Sequence, residues 1–452
     1  MFDRQVSASA TVSDQRTEHI SGHTERFRKV RKATLGLVKD LSSEDMSLQS
    51  MEDASPSKWH LAHTTWFFEE LILKPFASNY SCFNDHFNYL FNSYYEAIGD
   101  RHPRPLRGML SRPSSDDVID YRHHVDAAMT QLLSGIDSAD SAETSQQVLA
   151  RTELGCHHEM QHQELLLTDQ LHAFSQHPLL PRWAPELPLS KPHSGTTASA
   201  MRWVGHAGGI LSFGADTANE SATPARAKGF AYDCEGPRHQ RLLEPFKIAS
   251  RPVTNQEWLE FMADDGYRNP EFWLSDGWAA VKSADWNAPL HWRQDGNRWL
   301  RFTPHGVREL DPLEHVCHIS YFEADAFARW AGARLPDEFE WEAVAADQPL
   351  EGRFQESGIW LPERSEHDAG SGIESLFGSV WEWTRSAFAA YPRFRPLDGA
   401  LAEYNGKFMC GQFVLRGGAF TSPIDLIRPT YRNFFYPHQR WQATGLRLAK
   451  DD

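Results

Sequence analysis

Residues 145–174 read SQQVLARTELGCHHEMQHQELLLTDQLHAF, and their apolar residues recur at three- and four-residue steps. That period predicts a long helix with one apolar face. Three segments upstream repeat the pattern, namely residues 24–41, 57–73 and 115–133. Amphipathic helices joined in sequence bury their apolar faces against one another, so the first part of the chain is predicted to be an antiparallel helical bundle.

The composition of the chain changes near residue 175. Residues 176–200 are rich in Pro and Ser, which predicts a linker on the surface. Beyond the linker lie 13 of the 16 tryptophans, among short strand-like pieces and few helical ones. We therefore expect a helical domain over residues 15–175 and a loop-rich mixed domain over residues 201–450. The predicted fold class is α+β multidomain.

Length and charge exclude several classes of function. A chain of 452 residues is too long for one ordinary core. Its net charge of −16 repels nucleic acid and anionic membranes, and no Lys/Arg run offsets it. The start has no apolar signal segment, and the five cysteines contain no CxxC pair. We expect a cytoplasmic protein that acts on small molecules, with no membrane or nucleic-acid partner.

The sharpest local feature is the string His158-Glu-Met-Gln-His162. On a helix, positions i and i+4 lie one above the other, so both imidazoles can reach one metal ion. The best source of a third ligand is WHLAH, which contains His60 and His63. Three histidines from two helices would leave coordination positions open, as a catalytic metal requires. Imidazole suits Zn, Cu, Fe and Ni alike, so the spacing does not choose the metal.

Other interpretations of the same string stay open at this point. It matches the HExxH motif of zinc hydrolases, with Glu159 as the general base. The extended protease motif requires Gly and His where this chain has Leu165 and Thr168. A hydrogen-bonded pair of core histidines without metal is the simplest explanation. A further possibility is a lectin-like binding module carried on a helical scaffold.

Longer motifs point to one family. SPSKWHLAHTTWFFEELIL (55–73), FNSYYEAIGDRHPRPLRGMLSRP (91–113) and HHEMQHQELLL (157–167) resemble the DinB-like helical domain of ergothioneine-biosynthesis sulfoxide synthases, the EgtB family. The second half resembles the formylglycine-generating-enzyme-like, C-type-lectin-related domain that these enzymes carry. The segments with that likeness are residues 252–267, 333–345, 377–386, 414–420 and 431–449.

The resemblance implies a reaction and a metal. A non-heme Fe(II) binds O2 and a thiol, with hercynine (Nα-trimethylhistidine) beside them. The thiol sulfur becomes bonded to C2 of the hercynine imidazole and is oxidised to a sulfoxide. By motif match the iron ligands are His63, His158 and His162. His60 lies outside the matched position and is expected to have a structural role or to support a ligand.

The resemblance also implies residues that bind hercynine. Gln161 matches a residue that contacts the imidazole, and Asn433 matches one that holds the amino-acid end. A trimethylammonium group prefers aromatic faces, which Phe434, Phe435 and Trp441 offer.

Two further pairs follow from the motif between the ligand-bearing helices. Tyr94 and Tyr95 match the active-site tyrosine of the second type of this family. A phenol near iron and oxygen can pass a proton and so direct sulfur oxidation. We expect one of the two to be catalytic, and the sequence does not separate them. Arg104 and Arg107 best match the arginines that grip a substrate carboxylate.

The thiol is indicated by one departure from the family pattern. Members that use γ-glutamylcysteine tend to carry an acidic residue two positions after the Asn of the RN motif, where this chain has Phe435. Free cysteine is therefore favoured. A selenoneine- or ovothiol-type relative and the zinc hydrolase remain alternatives. Formylglycine formation is disfavoured, because Cys317 and Cys410 are far apart in sequence. The oligomeric state stays open.

Overall fold

The computed structural model describes residues 3–139, 141–185, 187, 200–216, 229–365 and 372–452, with side chains from residue 21 onward except at 137–139. The chain divides into two compact units. One comprises residues 1–170 with 220–230, and the other residues 171–219 with 231–452.

The first unit is helical and the second is mixed, so the predicted α+β multidomain class is confirmed. The domain boundaries at 15–175 and 201–450 stay predictions. So does the linker over 176–200, of which residues 186 and 188–199 lie outside the described residues.

The four predicted helical segments correspond to the four longest helices of the first unit. In chain order the helices are α1 (Asp3–Val38), α2 (Ser57–Phe68), α3 (Lys74–Phe76), α4 (Phe87–Phe91), α5 (Ser115–Ala139) and α6 (Ala142–Gln176). Helix α2 is buried along its whole length and continues as a π-helical turn over Glu69–Leu73. Its polar side chains therefore need partners inside the unit.

A glycine permits the close approach of α2 and α6. A Cβ atom at Gly155 of α6 would lie 2.6 Å from the ring of Phe68 and 3.1 Å from that of Phe67, both on α2. Real Cβ atoms do not pack at the shorter distance, so any side chain here would push the helices apart. The ring of Phe67 in turn packs on His158, at 4.6 Å between centroids. Gly155 thus sets the helix spacing beside the predicted ligands.

Short strands and four α-helices make up the part of the second unit that the structure describes. Its strands are β1 (Trp203–His206), β2 (Gly209–Phe213), β3 (His239–Leu243), β4 (Phe246–Ala249), β5 (Trp292–Asp295), β6 (Arg298–Thr303), β7 (Gly306–Glu309), β8 (Trp381–Ala387), β9 (Phe413–Arg416), β10 (Asn433–Phe435), β11 (Thr444–Gly445) and β12 (Ala449–Asp451). Its helices are α7 (Asn255–Ala263), α8 (Ser275–Ala284), α9 (Tyr321–Trp330) and α10 (Glu338–Ala345).

The described strands form four small sheets, with strand orders β1-β4-β12, β10-β9-β8-β11, β2-β3 and β5-β6-β7. Three helices start at capping boxes that can be read from the sequence, with Thr254, Ser320 and Asp337 as the caps. Sheets this small bury little by themselves. Tryptophans fill the interior instead, and Trp341 and Trp381 are wholly inaccessible.

All five cysteines are free, so no disulfide frames the fold. In the described part of the chain, none of the helices combines the length and apolarity needed to cross a bilayer.

Candidate metal centre

Helices α2 and α6 bring three histidines of the first unit together. His63 comes from α2, and His158 and His162 lie one turn apart on α6. One ring nitrogen of each lies within 4.8 Å of the other two. The ring centroids are 4.6 to 5.0 Å apart. The histidines that the sequence singles out therefore converge as a metal site would require.

The proton on His63 can be assigned from its hydrogen bond. Nδ1 lies 2.6 Å from the backbone oxygen of Phe91, and a carbonyl only accepts, so Nδ1 carries the hydrogen. The lone pair of His63 is then on Nε2. That atom is buried and has no hydrogen-bond partner among the described residues. A buried acceptor without a donor is costly in a folded protein, and a bound cation would satisfy it.

Burial keeps the three rings neutral. Desolvation lowers the pKa of His158 to about 3, and it holds the pKa values of His63 and His162 well below the usual range. Aromatic rings surround the site, and Trp59 stacks on His63 at 4.7 Å with an angle of 12° between the planes. Neutral imidazoles are the form that binds metal. The residues therefore fit a divalent transition metal.

Glu159, which a hydrolase would use as its general base, is fully engaged elsewhere. Its carboxylate accepts hydrogen bonds from Arg31 (2.9 Å), from Thr34 (2.5 Å) and from Arg122. These partners come from α1 and α5, and the carboxylate is completely buried. The arginines lower its pKa to about 2, against the opposing effect of burial. A carboxylate held this way is a poor proton acceptor, which argues against the hydrolase interpretation.

His60 lies behind the three histidines. Its Nδ1 is 2.9 Å from Nδ1 of His162, and its Nε2 is 3.1 Å from Oδ2 of Asp169. The sequence predicted a supporting role for His60, whereas Asp169 was not among the predicted residues. The signal was available, because Asp169 follows His162 by two helical turns and so lies on the same face of α6.

The two tyrosines have different surroundings. Tyr95 is wholly buried, and its ring lies 5.4 Å from that of Trp66, which itself stacks on His63 at 5.6 Å. Tyr94 is half-buried and stacks on Tyr95 at 4.7 Å. Tyr95 is thus separated from His63 by the single ring of Trp66, Tyr94 lies behind Tyr95, and of the two only Tyr94 reaches solvent.

The two arginines also differ. Arg104 is exposed, at the start of a short 3-10 helix. Arg107 is buried, donates to the hydroxyls of Ser55 (2.9 Å) and Ser93 (3.3 Å), and lies 3.3 Å over the ring of Trp59. That burial does not favour direct contact with a substrate carboxylate.

Gln161 is half-buried on α6, three residues after His158 and one before His162. It therefore lies on one flank of the face that carries the two histidines, and Glu159 lies on the opposite flank.

The remaining predicted residues lie in the second unit. Asn433, Phe434 and Phe435 form β10, an edge strand of the four-stranded sheet, and all three are half-buried. Phe434 stacks on Phe388 at 4.0 Å. Phe435 meets Trp441 edge-on at 6.3 Å. The strand therefore offers a partly accessible aromatic surface.

Two family models match the chain. The DinB superfamily matches residues 26–166, and the sulfatase-modifying factor enzyme 1-like domain matches residues 190–371 and 360–452. The first range contains the three histidines, and the second contains β10. Both halves of the resemblance seen in the sequence are thereby confirmed.

Curated relatives agree with the models. The chain is 35% identical over 319 residues to a hercynine oxygenase of Mycolicibacterium thermoresistibile, which covers 65% of this chain and 67% of the relative. It is 34% identical over 319 residues to a hercynine oxygenase of Mycolicibacterium smegmatis, covering 65% and 70%. A formylglycine-generating enzyme of Streptomyces coelicolor is 28% identical over 271 residues, covering 50% of this chain and 85% of the relative.

Proposed function

The chain belongs to the hercynine oxygenase family of oxidoreductases, which act in ergothioneine biosynthesis, and on this premise we propose that it is an iron(II)- and O2-dependent sulfoxide synthase. The proposed reaction bonds the sulfur of a thiol to C2 of the hercynine imidazole and oxidises that sulfur to a sulfoxide.

The convergence of His63, His158 and His162 carries the proposal. Three neutral donors leave the metal its full divalent charge and leave coordination positions for exchangeable ligands. When bound there, iron(II) would supply the activation of dioxygen. The protein keeps the three rings dry, neutral and fixed in orientation before the metal arrives.

We propose that hercynine is bound by Gln161 at its imidazole, by Asn433 at its amino-acid end and by Phe434 and Phe435 at its trimethylammonium group. The half-buried state of these side chains supports the assignment, since each keeps surface that a ligand can contact. Aromatic faces attract a quaternary ammonium group through their quadrupoles.

We propose cysteine rather than γ-glutamylcysteine as the thiol. A partly exposed Phe435 offers no carboxylate for a γ-glutamyl amine. Of the two arginines proposed to grip the thiol substrate, Arg104 is the better candidate for its carboxylate, because its guanidinium is exposed. Arg107 is held by two serines and Trp59, so its contribution would be to keep that indole against His63.

The proposed catalytic phenol is Tyr94 or Tyr95. A phenol that passes a proton to a reacting group must come within hydrogen-bonding reach of it. We favour Tyr94, because its half-buried ring keeps surface that a substrate can contact, whereas Tyr95 is wholly buried.

Oxygen uptake by the Fe(II)-loaded full chain tests the function. Hercynine is supplied with cysteine or with γ-glutamylcysteine, and the products are identified by mass spectrometry. We expect uptake with cysteine and a product that carries sulfur and one added oxygen. No uptake with either thiol would overturn the proposal. Zinc retained with hydrolytic activity would restore the hydrolase.

A further inference from the structure

Two buried side chains behind His162 have no part in the reaction proposed above. Asp169 and His60 are 5% and 2% exposed. Oδ2 of Asp169 accepts from the backbone N–H of Ser55 at 2.8 Å and lies 3.1 Å from Nε2 of His60. Nδ1 of His60 lies 2.9 Å from Nδ1 of His162. These contacts form a continuous buried series of hydrogen bonds, which ends on one of the three converging histidines.

The directions of these hydrogen bonds determine where each proton lies. A carboxylate only accepts, so Nε2 of His60 carries a hydrogen. In a neutral imidazole the other nitrogen is then an acceptor, so Nδ1 of His60 accepts from an N–H at Nδ1 of His162. His162 is left with its lone pair on Nε2. Because Nδ1 of His162 faces His60, Nε2 is the ring nitrogen left for a metal, and the reverse order of donors would place a hydrogen on it.

We propose that Asp169 and His60 are positioning residues that fix His162 in its metal-binding tautomer and ring orientation. The inference rests on the proposed function in one respect, which is that His162 is a metal ligand. The carbonyl of Phe91 does the same for His63 with a single hydrogen bond. For His162 the acceptor is Nδ1 of His60. That nitrogen accepts only while the hydrogen of His60 stays on Nε2, where it is donated to the Asp169 carboxylate. Partners of this kind orient a ligand and raise its basicity.

Zinc affinity of the full chain tests the proposal without any turnover. Exchange of His60→Phe keeps a ring of similar shape but removes the acceptor. We expect it to weaken zinc binding by about 10–100-fold, the usual effect of losing a hydrogen-bonding partner of a metal-bound histidine. Exchange of His60→Gln supplies a side-chain oxygen that can accept from Nδ1–H, so it should recover much of the affinity.

The tautomer of His162 is a second observable, and it would not change if His60 only packed against that ring. In the metal-free full chain labelled with ¹⁵N-histidine, NMR should show His162 protonated on Nδ1 alone. In His60→Phe, both tautomers should appear. Asp169→Asn keeps an oxygen acceptor but loses the charge, and we expect about a tenfold loss of zinc affinity. This variant decides the matter if His60→Phe does not fold, and unchanged affinity there would overturn the proposal.

Ser57→Ala is the matched control. Ser57 on α2 donates to Gln170 on α6 at 2.8 Å, and both side chains are buried. The change removes a buried hydrogen bond between the same two helices but leaves the hydrogen bonds from Asp169 through His60 to His162 in place. Zinc affinity should therefore stay at the wild-type level. A folded His60→Phe protein with wild-type affinity and a single His162 tautomer would overturn the inference. If zinc binding follows the predicted pattern but hercynine is not oxidised, the proposed function fails and the positioning roles stand.

Discussion

Replacing Glu159 by Gln separates a structural carboxylate from a catalytic one. The side chain is fully buried and neutralises two arginines, of which Arg122 is itself completely inaccessible. Gln has nearly the same shape but no charge, so Arg122 loses the carboxylate it pairs with and Arg31 keeps only Asp126, at 2.6 Å. Removing one partner of a buried ion pair costs about 3–5 kcal/mol, because the remaining charge stays in a region without water.

The pKa of Glu159 gives an independent magnitude. It falls from an ordinary 4.5 to about 2, and each pKa unit corresponds to about 1.4 kcal/mol. The ionised carboxylate therefore stabilises the fold by about 3 kcal/mol. Because its folded pKa is depressed, this contribution is present above the ordinary pKa and is lost as the pH falls from 4.5 toward 2. At neutral pH, Glu159→Gln should show the whole loss.

Urea unfolding followed by helical circular dichroism measures the effect. With a slope of about 1–3 kcal/mol per molar urea, the midpoint should fall by about 1–3 M. Glu70→Gln is the control, because Lys74 at 2.5 Å from that carboxylate is one-third exposed and can turn to water. Its cost should stay below about 1 kcal/mol. If Glu159→Gln unfolded like the control but lost all turnover, Glu159 would take part in the reaction and would not be a structural residue.

His162→Ala removes one of the three converging donors, so iron binding and turnover should disappear while the helical circular dichroism is retained. Full activity in that variant would refute the ligand assignment. Of Tyr94→Phe and Tyr95→Phe, one should divert the reaction to simple thiol oxidation and the other should be nearly silent, and accessibility favours Tyr94 as the first. If product analysis finds both silent, the phenol lies elsewhere. Phe435→Asp adds a charged acceptor worth about 1.5–3 kcal/mol, so kcat/KM for γ-glutamylcysteine relative to cysteine should rise roughly tenfold or more. An unchanged ratio would remove Phe435 from thiol selection.

The sequence was sufficient wherever the determining contact is local. The apolar period predicted the long helices, and the i,i+4 spacing put His158 and His162 on one face. The capping boxes at Thr254 and Ser320 are likewise set by residues three positions apart. The choice of His63 over His60 as the third ligand, in contrast, came from the family motif, because spacing alone allowed either histidine of WHLAH.

Apart from Asp169, the partners that complete the site are distant in the chain, and no period or spacing marks them. The carbonyl that orients His63 belongs to Phe91 at the end of α4. The cations around Glu159 are Arg31 and Arg122, whereas nearby Arg26 pairs instead with Glu153. Which arginine reaches which acid depends on how α1 and α5 pack against α6, and an unaligned sequence does not contain that information.

Successive residues of a helix point about 100° apart, and this rotation divides the HExxH string between two tasks. His158 and His162 turn toward α2, where their rings meet His63. Glu159 turns toward α1 and α5, where it cross-links two arginines and a threonine. In a zinc hydrolase the same glutamate must act on a metal-bound water, so it needs a free carboxylate with a pKa near the working pH. Here two guanidinium groups and a hydroxyl occupy it. The same motif therefore holds a general base in a zinc hydrolase and a structural counter-ion in this protein. The side chains that α1 and α5 present to position 159 decide between these two roles.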